Sequence, residues 1–169
     1  QRIRENISNP AFCAADIEIL NDFLVCSNLL EKHWQDVKSF CNMMPETLVH
    51  NDFVKKNVHV RTTDQGPVLF PFDWEMSGKG VPFADLHWMF QKTPETTITR
   101  YCEYLREYDI NIDLQDIECL MRLGTIFRIL DAVEWASYDF SSKCPHKKIG
   151  WTKLYIDFLK RLNHGLGWS

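Results

Sequence analysis

Between residues 16 and 44 the apolar positions Ile17, Leu20, Leu24, Leu30, Trp34, Val37, Cys41 and Met44 recur at steps of three, four and six. That spacing predicts two helices, interrupted near Ser27 and Asn28, with Pro45 ending the second. From His50 to Asn57 the order of polar and apolar residues fits neither the helical nor the strand period, so this stretch reads as a loop. Two β-rich runs follow, Val58 to Arg61 and Val68 to Phe72, on either side of the turn formers Thr62 to Pro67. This is the one hairpin signal in the chain. Pro71 lacks a ladder donor and argues for a free edge or a bulge at that point.

After Asp73-Trp74-Glu75 a loop with Gly78, Gly80 and Pro82 runs to Asp85, and from Leu86 the pattern is helical again. Pro94 and Glu95 open a helix with Ile98, Tyr101, Leu105 and Tyr108 on one side. Asp113 is placed to cap a longer helix through Trp135, with Ile117, Leu120, Leu123, Phe127, Leu130 and Val133 inward. Residues 139 to 150 read as a loop. A last helix, Trp151 to about Asn163, turns Leu154, Tyr155, Phe158, Leu159 and Leu162 inward before Gly165 and Gly167 end it. The fold class expected is mainly α with one small β-hairpin (α+β), a single domain over residues 1–169 without internal repeats.

Composition changes this picture in three ways. Of 169 residues, 45% are hydrophobic and 25% charged, values of a folded chain rather than a disordered one. Lys and Arg number 19 against 23 Asp and Glu, a net charge of −4, so nothing drives the chain as a whole toward nucleic acid or an anionic membrane. No stretch approaches the roughly 20 apolar residues of a membrane span, nor do the first residues form a signal peptide; a cytoplasmic location is expected. The six cysteines include no C-x-x-C pair and read as free, mostly buried thiols. The chain begins with Gln1 rather than Met and reads as a fragment.

The chemistry gathers around the hairpin. If Val58 to Arg61 pairs antiparallel with Leu69 to Phe72, Asn57 and Asp73 become neighbours. A neutral carbonyl oxygen and a carboxylate are hard ligands suited to Mg²⁺, which takes one or two such groups and completes its shell with water and phosphate. Asp52, earlier on the same loop, is placed to orient a substrate hydroxyl and accept its proton. Metal ligands on phosphate oxygens beside such a carboxylate are the layout of phosphoryl transfer.

The segment Leu48-Val49-His50-Asn51-Asp52-Phe53-Val54-Lys55-Lys56-Asn57-Val58 resembles the catalytic loop of the aminoglycoside phosphotransferase and choline kinase superfamily, usually H-G-D-x-x-x-x-N. Phe72-Asp73-Trp74-Glu75, followed by Gly80, Pro82, Asp85 and Leu86, resembles that superfamily's D-W-E segment and its downstream G-x-P-x-x-D-L. The resemblance implies a protein-kinase-like carboxy-terminal lobe, with helices over 1–44, the catalytic loop, hairpin and metal-binding segment over 45–90, and a helical substrate region over 91–169. It implies Asp52 as catalytic base, Asn57 and Asp73 as Mg²⁺ ligands, ATP as co-substrate and a small-molecule hydroxyl as acceptor. His50 would support the loop, Asp85 would brace it from below, and Glu75 would reach metal through water or make a structural hydrogen bond. Asn51 replaces the common Gly, and Lys55 and Lys56 replace the more usual Pro-Gly, within reach of a phosphate or simply solvated.

Members of the superfamily begin with a mainly β lobe that covers the nucleotide, yet no glycine precedes Gly66 and only Lys32 and Lys38 lie upstream of the loop. The amino-terminal lobe is therefore expected to be missing, which leaves this chain alone incomplete for activity, and the surface it covers would favour self-association. The acids Asp131 and Glu134, with Trp135, are candidates for holding a cationic acceptor, against the alternative of a solvated helix face. Two other functions stay open: a kinase-like module that binds a ligand or partner without catalysis, and a metal-dependent hydrolase built on His50, Asp52 and Asp73.

Overall fold

The computed structural model describes residues 1–82, 85 and 95–168, with the side chains of residues 146 and 147 left aside. The chain is mostly helical with two small antiparallel sheets, and divides into two compact units, Gln1–Ser39 with Ile126–Ser169, and Phe40–Thr125.

The first unit contains α1 (Arg2–Asn6), α2 (Ala14–Lys32) and the start of α3 (Trp34–Met43). It also takes the second half of a long helix, Leu114–Ser137, and the final helix, His146–Gly165, numbered α5 and α6 below. The Asp16 carboxylate accepts the Cys13 N–H at 2.9 Å and caps α2. The expected interruption near Ser27 and Asn28 is absent, and the break lies at His33, between α2 and α3. Buried Cys26 fills the six-residue gap between Leu24 and Leu30, completing the seam Leu20, Phe23, Cys26, Leu30. Ser27 stays helical by donating its hydroxyl to the Phe23 carbonyl at 2.9 Å.

Helix α6 begins at His146, inside the stretch expected to be a loop, and packs along α2. Its buried seam is Ile149, Thr152, Ile156, Leu159 and Asn163, whereas Leu154 is 47% exposed. The expected face followed the largest apolar side chains. The observed one includes Thr152, whose hydroxyl is satisfied within the helix by the Lys148 carbonyl at 3.2 Å and so can be buried. Similarly Ile126, Ile129 and Val133 form the inward face of α5 here, while Phe127 meets the Trp34 ring edge-on at 6.1 Å on an exposed side.

The second unit holds β1 (Thr47–Val49), β2 (Val58–Thr63), β3 (Gly66–Pro71), β4 (Gly78–Gly80), α4 (Glu95–Arg106) and the first half of α5. Asp113 caps α5, its carboxylate accepting the Asp116 N–H at 2.8 Å. A core of Ile98, Cys102, Ile112, Ile117 and Leu120, with Phe40, Met44 and Val81 against it, joins α4 to α5. Tyr108 is not part of that face: α4 ends at Arg106, and Tyr108 is exposed beside Tyr104. The helix expected from Leu86 and its opening at Pro94 fall outside the described residues.

The hairpin forms with six pairs, Val58↔Pro71 through Thr63↔Gly66, longer at the turn because Thr62, Thr63, Gly66 and Pro67 join the ladder, and one residue out of the expected register: Val58 faces Pro71 rather than Phe72, so Asn57 lies opposite Phe72 and Asp73 one step beyond. Pro71 is the last strand residue, where a missing donor costs the ladder least. The second sheet, β1 with β4, was not expected; it pairs Thr47↔Gly80, Leu48↔Lys79 and Val49↔Gly78. A Cβ at Gly80 would come within 3.2 Å of Val49, so the close strand approach favours glycine there. All six thiols are free. Cys26 and Cys102 are buried and Cys41 and Cys119 half-buried, and burial pushes all four thiol pKa values up; Cys13 and Cys144 are exposed.

Candidate active site

Strand β1 delivers His50 at its end and the chain then turns sharply, with Asn51 in the left-handed region at φ 64°. His50 is buried to 1% exposure. Its Nε2 lies 2.8 Å from the Phe72 carbonyl, which can only accept, so Nε2 carries the proton. Nδ1 is then a lone-pair acceptor, and the Asp52 N–H points to it at 3.4 Å. The ring packs between Phe53 and Trp74, at centroid distances of 5.8 and 4.6 Å. One neutral imidazole thus links the loop of Asp52 to the end of the hairpin.

Asp85 holds the same turn from another side. Its carboxylate accepts the N–H of His50 at 2.5 Å and that of Asn51 at 2.7 Å. These are charge-assisted bonds that fix two consecutive peptide units just before Asp52.

Asn57 closes the loop. It is 3% exposed, at the end of a short 3₁₀ turn (Lys55–Asn57). Its Nδ2 donates to the Asp52 carbonyl at 3.0 Å and to Asp52 Oδ2 at 2.9 Å. Lys56 Nζ lies 3.4 Å from the same Oδ2, so Lys56 is engaged rather than simply solvated. The Asn57 carbonyl in turn accepts the Phe72 N–H at 3.0 Å, extending the ladder one step past Val58↔Pro71. Asp73 follows directly, exposed, with φ 67° and ψ 57°, a conformation that Asp tolerates better than most residues. Glu75 is exposed on the next 3₁₀ turn, Trp74–Met76.

Asp52, Asn57, Asp73, His50 and Asp85 are therefore gathered at one end of the hairpin in the second unit. Asp131, Glu134 and Trp135 lie on α5 in the first. Glu134, 3.9 Å from Arg2, lines a cavity of about 510 Å³ with Arg2, Arg4, Phe23 and Glu31. Asp131 pairs with Arg128 at 3.3 Å, and Trp135, 69% exposed, lies 5.8 Å from Tyr138; neither lines that cavity.

Among the described residues no three His, Cys, Asp or Glu side chains come together as a metal cage. The hydrolase alternative would need such a cage. Mg²⁺ needs less, and the donor types fit it: with the Asn57 amide nitrogen held by Asp52, its carbonyl oxygen is the atom left to serve as a hard ligand, and the exposed Asp73 carboxylate is a second. Sequence reasoning overlooked the β1–β4 ladder and the second bond of Asn51, whose Nδ2 donates to the Met76 carbonyl at 2.9 Å. Three-residue strands, two of whose six residues are glycine, carry no period to read.

Among the described residues, no helix is long and apolar enough to cross a membrane. The sequence profile of the phosphotransferase enzyme family matches residues 14–119, about three fifths of the chain and all of the loop just described. None of the curated proteins and none of the solved structures compared with the chain matches it.

Proposed function

We propose that this chain, which belongs to the phosphotransferase enzyme family, the aminoglycoside phosphotransferase and choline kinase superfamily, moves the γ-phosphoryl group of ATP to a hydroxyl of a small molecule. The observation that carries the proposal is the buried Asn57 amide, whose nitrogen holds the Asp52 carboxylate at 2.9 Å at the hairpin end that leads into Asp73. In the step proposed, the acceptor oxygen bonds to the γ-phosphorus as the bond to the bridging oxygen breaks. ADP leaves, and the hydroxyl proton passes to the Asp52 carboxylate. Mg²⁺, held by Asn57 and Asp73, would supply charge neutralisation on the phosphate oxygens.

His50 and Asp85 take no proton in this scheme; they hold the peptide units on which Asp52 is mounted. Glu75, exposed beside Asp73, is proposed to act on the metal through water. Glu134 and Asp131, with the exposed ring of Trp135, suit an acceptor that carries amines, aminoglycoside- or choline-like.

Calorimetric titration of Mg·ATP tests the site. The chain is expected to give heat that Asp73→Ala abolishes. Asp52→Ala is expected to keep that heat and, in the intact enzyme, to lose ATP consumption across a panel of hydroxylated amines by about 1000-fold or more. Heat that survives in Asp73→Ala, or in the absence of Mg²⁺, overturns the metal assignment and favours a binding module without catalysis.

A further inference from the structure

Asn51 does something that glycine at the same place cannot. The left-handed turn between His50 and Asp52 requires a residue that tolerates positive φ, and glycine satisfies this best. Asn51 satisfies it too, and adds a second bond. Its backbone N–H goes to Asp85 at 2.7 Å, while its side-chain Nδ2 donates to the Met76 carbonyl at 2.9 Å. Met76 closes the 3₁₀ turn whose N-cap is Asp73. The residue just before Asp52 is thus bonded to the turn just after Asp73.

Besides this bond, the two pieces are related through the β1–β4 ladder, the His50 ring and the Asn57 bonds to Asp52 and Phe72, none of which reaches the turn beyond Trp74. Both pieces carry a left-handed acidic or amide residue, Asn51 and Asp73, and both are exposed at those positions. A side-chain bond between them fixes one against the other at the place where they carry chemistry.

We infer that Asn51 is a positioning residue: its amide sets the Asp73 turn relative to Asp52, and so aligns the metal-bearing carboxylate with the base. This rests on the function proposed above. It predicts that losing the amide weakens Mg·ATP binding by folded protein rather than merely reducing the amount of folded protein.

The experiment is the Mg·ATP titration of the chain, of Asn51→Gly and of Asn51→Ala. Glycine keeps the left-handed backbone at ease and alanine strains it, yet both lose the amide. Both variants are expected to raise Kd about fivefold, the equivalent of one hydrogen bond, with the stoichiometry unchanged. A stoichiometry that falls while Kd stays constant means a purely structural role and overturns the inference. So does an unchanged titration in Asn51→Gly, with the proposed site left standing. No heat from the unsubstituted chain overturns the site and the inference together.

Discussion

Two asparagines, Asn57 in the catalytic loop and Asn163 in α6, are each 3% exposed, and their surroundings differ in kind. Asn57 donates to two oxygens of Asp52, at 3.0 and 2.9 Å, within a loop where Asp85 and His50 pair with the neighbouring groups. The Asn163 amide donates to the Cys26 carbonyl at 3.4 Å, and its Oδ1 is buried with no hydrogen-bond partner among the described residues. The comparison teaches that burial of a polar group does not by itself mark a site. What marks the loop is that its buried polar atoms answer one another and converge on one exposed-edge carboxylate.

The strongest way to break the comparison is to remove each amide. Asn57→Leu takes a donor from Asp52 and an oxygen from the proposed metal site, and is expected to lower turnover about 1000-fold. It also removes a hydrogen bond from each of two Asp52 oxygens, so unfolding in urea should register a further loss of about 1–3 kcal/mol. Turnover within tenfold of the unsubstituted protein would put Asn57 in the same class as Asn163.

Next in size is Asp85→Ala, which strips two charge-assisted bonds from the turn. A loss of about 3 kcal/mol is expected, seen as a fall in thermal midpoint of roughly 10 °C. A midpoint unchanged within about 2 °C would show that the clamp contributes nothing to the fold of the loop.

The smallest effect belongs to Asn163→Leu. It removes an orphaned oxygen and one long bond, and places an apolar group on the seam of α6, so stability should stay within about 1 kcal/mol or rise. A loss larger than about 2 kcal/mol would mean that the amide holds a buried water of the kind common in protein cores.

The loop was the most legible part of the chain because its residues stand at fixed offsets. His50, Asp52 and Asn57 share one loop, and the hairpin that carries Asn57 to Asp73 has a recognisable turn between two apolar runs. The helices were legible as helices but not in their phase. Thr152 and Asn163 are buried, whereas Phe127 and Leu154 are exposed. A reading by size and hydrophobicity alone misassigns such positions.

The sequence by itself determined which residue types could do chemistry and that a hairpin would carry the chain from Asn57 to Asp73, but not its register, which lies one residue from the expected one. Only tertiary structure decided the rest. The bond from Asn51 to Met76 and those from Asp85 to His50 and Asn51 join residues 25, 35 and 34 positions apart. No local period encodes contacts of that kind. The buried His50 obliges its N–H to find a partner wherever in the chain that partner lies, and the fold sets Asp85 and Met76 beside the exposed Asn51.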